Sequence, residues 1–300
     1  MKRRLKLFLG PIILLATIAV IARYLSEHSY LLTKLAHTPL KTVVLVILID
    51  FFAFAAAILI LRATAAMYGK NLTWRDNFLV SAYSSLINFF GPGQSGPAVR
   101  GAYLKRRVGL RIKDYTFASI VYYVCFAILS ALLVLAGQAV WWLTALTVVV
   151  VGIVSVVAAK RFMQKRLKDE RSVVKPGSVG WIFAATALQM LTQVLLYGVE
   201  LHAVTHASLA QILTYTGVAN FALFVALTPG AIGIRESFLV FSEKLHHISS
   251  AAIVSANIID RGVYILFLGV LFIFVLVLHA KERIVGKGTA AKTASDSSAE

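Results

Sequence analysis

The chain of 300 residues is 59% hydrophobic and only 14% charged, with a mean hydropathy of +0.81. Soluble domains are roughly 45–50% apolar and about 25% charged, so this composition excludes an ordinary soluble protein and indicates a protein of the lipid bilayer. Lys and Arg number 30 against 13 Asp and Glu, and the resulting formal charge of +17 would suggest a nucleic-acid partner in a soluble protein. The single cysteine, Cys125, excludes an internal disulfide and a cysteine metal site.

Six apolar stretches are long enough to span a bilayer, which takes about 20 residues. In chain order they are 7–25, 40–61, 115–136, 139–159, 180–202 and 256–279. The first follows a basic N-terminal segment and is longer than the apolar part of a signal peptide, so we interpret it as a retained anchor. The polar, low-complexity segment 281–300 is predicted to be a disordered cytoplasmic tail.

Two further apolar stretches are interrupted near their middles by Pro and Gly. Stretch 77–104 is broken at Gly91–Pro97, and stretch 209–245 is broken at Thr228–Gly233. Each is predicted to form two half-helices that return to the side they entered from, either as a re-entrant hairpin or as two thin spans. Irregular backbone at that depth is tolerated only where it is buried in protein or lines a wet cavity.

The basic residues predict the orientation of the chain, because short cytoplasmic loops collect Lys and Arg. With the N-terminus inside, one side receives the basic clusters at 2–6, 62–75, 105–113, 160–175 and 281–292. The opposite side keeps little beyond Arg23, Lys34, Lys41 and Lys244. The basic excess is thus explained by topology, and we expect no nucleic-acid partner. We expect a multi-pass protein of a bacterial-type cytoplasmic membrane with both termini in the cytoplasm.

The two breaks share a motif at a fixed distance. Pro92-Gly93-x-x-Gly96 matches Pro229-Gly230-x-x-Gly233 at an offset of 137 residues, and the same offset carries 40–61 and 115–136 close to 180–202 and 256–279. We therefore predict an all-α polytopic membrane protein with about six full transmembrane helices and two broken re-entrant hairpins, arranged as an inverted repeat. The repeat forms a single membrane domain over 1–280 with halves of about 5–137 and 138–280. The alternative is that both breaks are packing kinks.

Each break leaves free backbone N–H groups beside an arginine, and this combination favours an anionic ligand. Arg100 follows the first break and Arg235 the second, and guanidinium groups bind phosphate bidentately. The alternative for Arg100 is a charge anchor at the mouth of the hairpin. Glu236 would either hold the Arg235 guanidinium or cap the half-helix. The predicted substrate-binding set is Arg100, Arg235, Glu236, Arg261, Gly93, Gly96, Gly230 and Gly233.

Three acidic residues in or near spans are candidates for coupling or for structural charge pairs. Asp50 lies within a span, where a charge costs roughly 2.5–3.5 kcal/mol on insertion scales, so it either pairs with an arginine such as Arg261, stays protonated or relays protons. Asp260 and Arg261 are adjacent on a helix and point in different directions, so each is expected to have a partner elsewhere. Glu200 is the third candidate.

A polar stripe follows one face of the 180–202 helix through Thr186, Gln189, Gln193 and Glu200. Such a stripe either forms hydrogen bonds between helices or lines a polar pathway. Asn88 belongs to a comparable polar face in the first hairpin. We assign Asn88, Gln189 and Gln193 to the pathway. The spacing of His202 and His206 permits zinc binding, but no third ligand is evident, so we expect neither a metal nor a cofactor.

Several of these residues resemble a known family. The segments Thr228–Glu236 and Pro92–Arg100, with Asp260-Arg261, are similar to the flippase-like transmembrane domain of the lysylphosphatidylglycerol synthase family, and the resemblance covers about 5–280. In bifunctional members this domain accompanies an aminoacyl transferase and moves the modified phospholipid to the outer leaflet. We expect a stand-alone membrane domain here, and lysyl transfer is not carried over. Tyr122-Tyr123 stands where many members have an acidic-Arg pair.

These observations favour a membrane transporter, not an enzyme, that moves an anionic phospholipid or a lipid-phosphate-linked substrate between leaflets. The alternatives are a membrane-embedded enzyme of lipid or lipid-linked glycan metabolism, and a scaffold for lipid-synthesis enzymes. The expected partners are membrane lipids; a lipid-modifying enzyme and a second copy of the chain are further candidates.

Overall fold

The computed structural model describes residues 36–90, 95–138, 177–225 and 234–296 and the single residues 26 and 175, with side chains as far as Leu278. Within these ranges the chain is helical and contains no strand. The described helices are α1 (Leu40–Ala66), α2 (Trp74–Phe90), α3 (Ser95–Val108), α4 (Ile112–Gly137), α5 (Gly177–His202), α6 (Leu209–Val225), α7 (Ile234–Phe241), α8 (Glu243–His246) and α9 (Ser250–Asp296). The predicted spans 7–25 and 139–159 lie outside the described residues.

Four of these helices are long and apolar enough to cross a bilayer. They are α1, α4, α5 and the Ser250–Leu278 part of α9. They agree with the predicted spans 40–61, 115–136, 180–202 and 256–279, and a polytopic all-helical membrane protein is confirmed. The helix α9 continues to Asp296. The bounds of the membrane domain and the disordered tail stay predictions.

The first predicted broken stretch forms two antiparallel helices, α2 and α3. Thr73 caps α2: its hydroxyl accepts a hydrogen bond from the Asp76 N–H at 3.1 Å and donates one to the Asp76 carboxylate at 2.8 Å. From this end the two helices stay in contact from Asp76–Tyr103, through Ser84–Arg100, to Asn88–Gly96. Residues 91–94, which join α2 to α3 in the sequence, lie outside the described residues.

The second broken stretch has the same organisation. The helix α6 begins with a capping box, in which the Ser208 N–H donates to the Gln211 side chain at 2.9 Å and the Gln211 N–H donates to the Ser208 hydroxyl at 3.3 Å. The chain then passes through 226–233, outside the described residues, and returns as α7 and α8. The succession of long helix, two shorter arms and long helix occurs in α1–α4 and again in α5–α9. The inverted orientation of the two halves and the re-entry of the arms into the membrane stay predictions.

Close helix contacts at glycine hold the second hairpin against the first half. The backbone of Gly217 on α6 lies so near α4 that an added Cβ would come within 2.6 Å of the Ser130 carbonyl oxygen. Gly137 on α4 makes a similar approach to α6, where a Cβ would lie 2.5 Å from the Ala210 carbonyl oxygen. Small residues at such crossings let helix backbones pack closely in a membrane. This contact positions α6 and the arginine-bearing α7 that follows it.

Candidate functional site

A cavity of about 350 Å³ lies between the two halves of the described structure. It is lined by side chains from α1, α2, α3, α4, α5, α6, α7 and α9, so that both hairpins contribute to one wall. Residues predicted from sequence that line it are Asp50, Asn88, Arg100, Gln189, Gln193, Arg235, Asp260 and Arg261. Eight predicted residues from distant parts of the chain are thus brought to a single place. Gly93, Gly230 and Gly233 lie outside the described residues.

Two crossed ion pairs join α7 to α9 at this cavity. The Arg235 Nη1 donates to Asp260 Oδ2 at 2.6 Å, and the Arg261 Nε donates to Glu236 Oε1 at 2.9 Å. The expectation that Asp260 and Arg261 each have a partner elsewhere is confirmed. Of the two alternatives for Glu236, the one in which it holds Arg235 is wrong, because neighbouring residues on α7 point in different directions and Glu236 faces Arg261 instead.

The ion pair with Asp260 engages only Nη1 of the three guanidinium nitrogens of Arg235. The residue is 8% exposed, and its Nε and Nη2 have no hydrogen-bond partner among the residues that the structure describes. Its guanidinium carbon lies 4.9 Å from the centre of the Tyr197 ring, a cation–π distance. Arg235 therefore presents two free donors, the edge with which a guanidinium grips two oxygens of a phosphate or carboxylate.

Arg100 is held differently from Arg235. Its Nε donates to the Ser84 hydroxyl at 2.7 Å, and within the described ranges it forms no ion pair. The hydrogen bond directs the side chain along α2 to the cavity wall, where Pro97 also lies. The structure thus places Arg100 at the cavity and not only at the hairpin mouth, so its full positive charge faces the same space as Arg235.

The two buried acids Asp50 and Glu200 lie next to this arginine network without an ion pair of their own. Asp50 is 4% exposed and Glu200 is 1% exposed, and each has a carboxyl oxygen without a hydrogen-bond partner in the described residues. The predicted alternative that Asp50 pairs with Arg261 is wrong, because Glu236 holds Arg261. Glu200 does not line the cavity itself but contacts Asp260, which does.

The residues of the polar stripe on α5 differ in the contacts that they make. Gln189 accepts a hydrogen bond from the Tyr122 hydroxyl at 3.1 Å and so links α5 to α4, while the carbonyl oxygen of Gln193 is buried and without a partner among described atoms. Both side chains line the cavity. Thr186 bonds to the Ile182 carbonyl of its own helix at 2.6 Å. The pathway assignment of the two glutamines stays a prediction.

Gly96 has a packing role that the sequence did not suggest. Its N–H donates to the Asn88 side-chain oxygen at 3.3 Å, and a Cβ at this position would lie 2.8 Å from the Ser84 hydroxyl and 3.0 Å from the Ser84 carbonyl oxygen. Its N–H is therefore already bonded to the facing arm and does not line the cavity. Close packing at Gly96 lies beside Ser84, which holds Arg100, and the predicted anion contact at Gly96 stays a prediction.

Aromatic residues form a large part of the cavity wall, and sequence analysis did not assign them to the site. They are Phe54, Phe89, Tyr122, Tyr123, Phe126, Tyr197, Tyr264 and Phe267. Tyr197 follows Gln193 by four residues, the helical spacing that could have added it to the polar stripe. Tyrosines near buried arginines supply hydrogen-bonding hydroxyls and ring faces in a space otherwise lined by apolar groups.

A separate polar cluster closes the open end of the first hairpin. The Tyr103 hydroxyl donates to Asp76 at 2.6 Å, and the exposed Arg107 lies 3.4 Å from the same carboxylate. Burial raises the pKa of Asp76, but the hydrogen bonds from Tyr103 and Thr73 and the charge of Arg107 outweigh it, so the pKa falls below its ordinary value. The cluster fixes the end of α3 against α2 at a distance from the cavity.

The chain matches a known family of membrane proteins over most of its length. The family model described as "Lysylphosphatidylglycerol synthase TM region" matches residues 7–271. Among curated proteins, no sequence matches this chain. The matched range includes every residue that lines the cavity, from Asp50 to Phe267. The chain therefore belongs to the lysylphosphatidylglycerol synthase transmembrane-region family, and it is a multi-pass membrane protein related to lipid metabolism.

Proposed function

We propose that this protein is a transporter that moves an anionic phospholipid, or another lipid that carries a phosphate, between the leaflets of the cytoplasmic membrane. The observation that carries the proposal is the pair of buried, unpartnered donors of Arg235 in a cavity wall that Arg100 also lines. A buried donor without a partner costs about 1–3 kcal/mol, and more when it is charged. A ligand oxygen at this place would remove that cost.

The two arginines have the chemistry to hold a lipid phosphate. Arg235 offers two adjacent N–H donors, and Arg100 adds a cation restrained only by the neutral Ser84 hydroxyl. A phosphodiester carries one negative charge and two free oxygens, so it matches a guanidinium fork in charge and in geometry. The aromatic wall accommodates the glycerol and the first part of the acyl chains, whereas the tails stay in lipid.

Transport explains the site better than catalysis does. Within the described ranges, the acids that could serve a cytoplasmic active site are engaged elsewhere, because Asp76 accepts hydrogen bonds from Thr73 and Tyr103 and Asp114 pairs with Arg111 at 2.6 Å. The cavity, in contrast, lies between two halves that repeat the same order of helices, an arrangement in which a substrate site near mid-membrane is exposed alternately to each side. We place the end of the described structure that carries Lys105, Arg106 and Arg107 in the cytoplasm.

The proposal is tested by lipid exchange in vesicles that contain only the purified full chain. We expect Arg235→Lys to lower the rate of exchange of a labelled phosphatidylglycerol by roughly ten- to a hundredfold, because it keeps the charge but loses the fork; a charged hydrogen bond contributes about 1.5–3 kcal/mol. Arg107→Lys is the matched control, since Arg107 is 64% exposed at its side chain and lies outside the cavity.

Three outcomes separate the hypotheses. A loss of exchange in Arg235→Lys with normal protein abundance and an unchanged control supports the phosphate site. Wild-type rates in Arg235→Lys and in Arg100→Ala would overturn it. If the wild-type chain gives no exchange but purifies with an enzyme of lipid synthesis, the scaffold hypothesis replaces transport. Mass spectrometry of the lipids that co-purify with the chain identifies the headgroup.

A further inference from the structure

The cavity contains more acid than its arginines balance, and this excess has a functional consequence. Three carboxyl groups from three helices lie near one another: Asp260 from α9 and Glu200 from α5 lie beside Arg235, and Asp50 from α1 lies beside these two acids. Arg235 forms its ion pair with Asp260 alone, and Arg261 is held by Glu236 in a pair of its own. With Glu236, and with Arg100 as the third arginine of the cavity, the site holds four carboxyl groups against three guanidinium groups, so one negative charge would be left uncompensated if every carboxyl group were ionised.

The contacts among the acids show how the excess is accommodated. Asp50, Glu200 and Asp260 lie close enough to act on one another electrostatically, and Asp50 and Glu200 each keep a buried carboxyl oxygen that has no hydrogen-bond partner among the described residues. A buried carboxylate that is neither paired nor hydrogen bonded is costly, and carboxyl groups that share a site favour a proton on one of them. The cluster is therefore suited to bind a proton.

The other ionisable groups that face the cluster add no cation beyond Arg100, which is already included in the charge count. They are Tyr197 on α5, Tyr215 on α6 and Tyr264 on α9, with Arg100 on α3 facing Tyr264. The helix α4 contributes Tyr122 and Tyr123 to the same cavity. Arg235, through its ion pair with Asp260, is the cation that contacts the cluster in the described part of the chain.

We propose that Asp50, Glu200 and Asp260 form a proton-binding cluster whose protonation is coupled to phosphate binding at Arg235. The inference rests on the proposed function, since it assigns the coupling ion of the same site. A headgroup phosphate that approaches the free Nε and Nη2 of Arg235 brings a second anion to a guanidinium that Asp260 already occupies. A proton taken from water by a cluster carboxylate removes one negative charge, so the phosphate and the proton bind together. Release of the phosphate on the other side returns that proton to water.

The sign of the coupling follows from the same charges. Phosphate binding becomes tighter as pH falls, because protonated acids no longer compete for Arg235. A phosphodiester keeps its single charge in mildly acidic and mildly basic solution, so the pH dependence belongs to the protein. Linkage of one proton changes the affinity by up to about tenfold for each pH unit.

The experiment measures binding of short-chain phosphatidylglycerol to the purified full chain in detergent across mildly acidic to mildly basic pH. We expect the wild type to bind more weakly as pH rises and Glu200→Gln to bind with an almost constant affinity. Glutamine keeps the shape of the acid and acts as a neutral stand-in for its protonated form. Asp50→Asn is the second variant, and infrared difference spectra report directly whether a protonated carboxyl group is lost in each.

Matched controls separate the cluster from other titrating groups. Glu243→Gln and Asp76→Asn make the same chemical changes in acids that lie outside the cavity, where Glu243 accepts a hydrogen bond from Ser250 at 2.6 Å. His246 packs against Tyr215 with ring centres 5.6 Å apart, and burial lowers its pKa, so His246→Gln is also included. All three controls are expected to retain the pH dependence of the wild type.

The outcomes distinguish this inference from the proposed function. Equal affinity at every pH in the wild type, or a full pH dependence that survives both Glu200→Gln and Asp50→Asn, overturns the proton cluster while lipid exchange still stands. A pH-linked affinity without lipid exchange in vesicles overturns transport while the proton cluster stands. Lipid exchange accelerated by a pH gradient in the wild type but not in Glu200→Gln supports both.

Discussion

The ion pair between Arg235 and Asp260 should be strongly coupled, and a double-mutant cycle measures the coupling. The two side chains are 10% and 13% exposed and their charged atoms are 2.6 Å apart. Removal of one partner from a buried pair costs about 3–5 kcal/mol, since the other charge is left without compensation. We expect Arg235→Met to reach this range, because Asp260 would remain beside Glu200 and Asp50 with no cation.

Asp260→Asn should cost less than Arg235→Met. Arg235 would keep the ring of Tyr197 and the carboxyl group of Glu200 as neighbours, so we expect a loss of about 2–3 kcal/mol. The double variant should cost less than the sum of the single variants by about 2–3 kcal/mol, because it leaves neither charge unpaired. Reversible unfolding by sodium dodecyl sulfate in mixed micelles, followed by circular dichroism, gives the free energy of unfolding of each variant.

The pair Arg111–Asp114 serves as the comparison for this cycle. It has the same N–O distance of 2.6 Å but joins residues three apart at the start of α4, and the Arg111 side chain is 36% exposed. Solvent screens such a pair, so we expect a coupling below about 1 kcal/mol. The reasoning is refuted if the losses of unfolding free energy in Arg235→Met and Asp260→Asn add up, to within about 0.5 kcal/mol, to the loss in the double variant. Such additivity is the behaviour of two residues that do not interact.

Three shorter predictions test the packing, the hairpin mouth and the topology. Gly217→Ala places a methyl group 2.6 Å from the α4 backbone and should lower the free energy of unfolding by about 1–3 kcal/mol, whereas Gly269→Ala meets no atom within 4 Å and should be neutral or slightly stabilising. The lowered pKa of Asp76 means that its stabilising contribution is present above the unfolded-state pKa and is lost only as pH falls through the lower folded value; acid unfolding of Asp76→Asn should lack that step. With the native cysteine replaced, a cysteine at Arg107 should react with an impermeant maleimide from the cytoplasmic side and one at His206 from the opposite side; labelling of both from one side would exclude the proposed orientation.

Hydropathy alone predicted the helices, because each span must bury its backbone polar groups within itself and needs a fixed length of apolar sequence. The predicted span 180–202 differs from α5 by only a few residues, and the break at Gly91–Pro97 separates α2 from α3. The hairpin contacts were not predictable in the same way. The Thr73-x-x-Asp76 cap is a local signal, but the approach of Gly96 to Ser84 depends on how the two arms face each other.

The members of the site were predictable, whereas their partners were not. An ionisable residue inside an apolar span has a high free-energy cost of membrane insertion, so its presence in the sequence indicates a functional or paired residue. Asp50, Asp260 and Arg261 could be singled out for this reason. Which side chains pair depends on how one helix is rotated about its own axis relative to its neighbour. Because neighbouring residues differ by about 100° in direction, a rotation of α7 by about that angle would exchange which of Arg235 and Glu236 faces Asp260. The sequence contains no local signal for that angle.

The three arginines of the cavity differ in how far their charge is already balanced, and this difference ranks them as ligands. Arg261 is bound through its Nε to Glu236, Arg235 leaves Nε and Nη2 free beside Asp260, and Arg100 has only the neutral hydroxyl of Ser84. A phosphate gains the least binding free energy from a guanidinium group whose N–H donors already bind a carboxylate, because it must first displace that carboxylate. We therefore expect Arg261→Lys to reduce the stability of the protein more than its affinity for phosphatidylglycerol, and Arg100→Lys to do the reverse. Affinity and unfolding measured on the same preparations decide the ranking, and a larger loss of affinity in Arg261→Lys than in Arg100→Lys would show that Arg261 is released from Glu236 when the lipid binds.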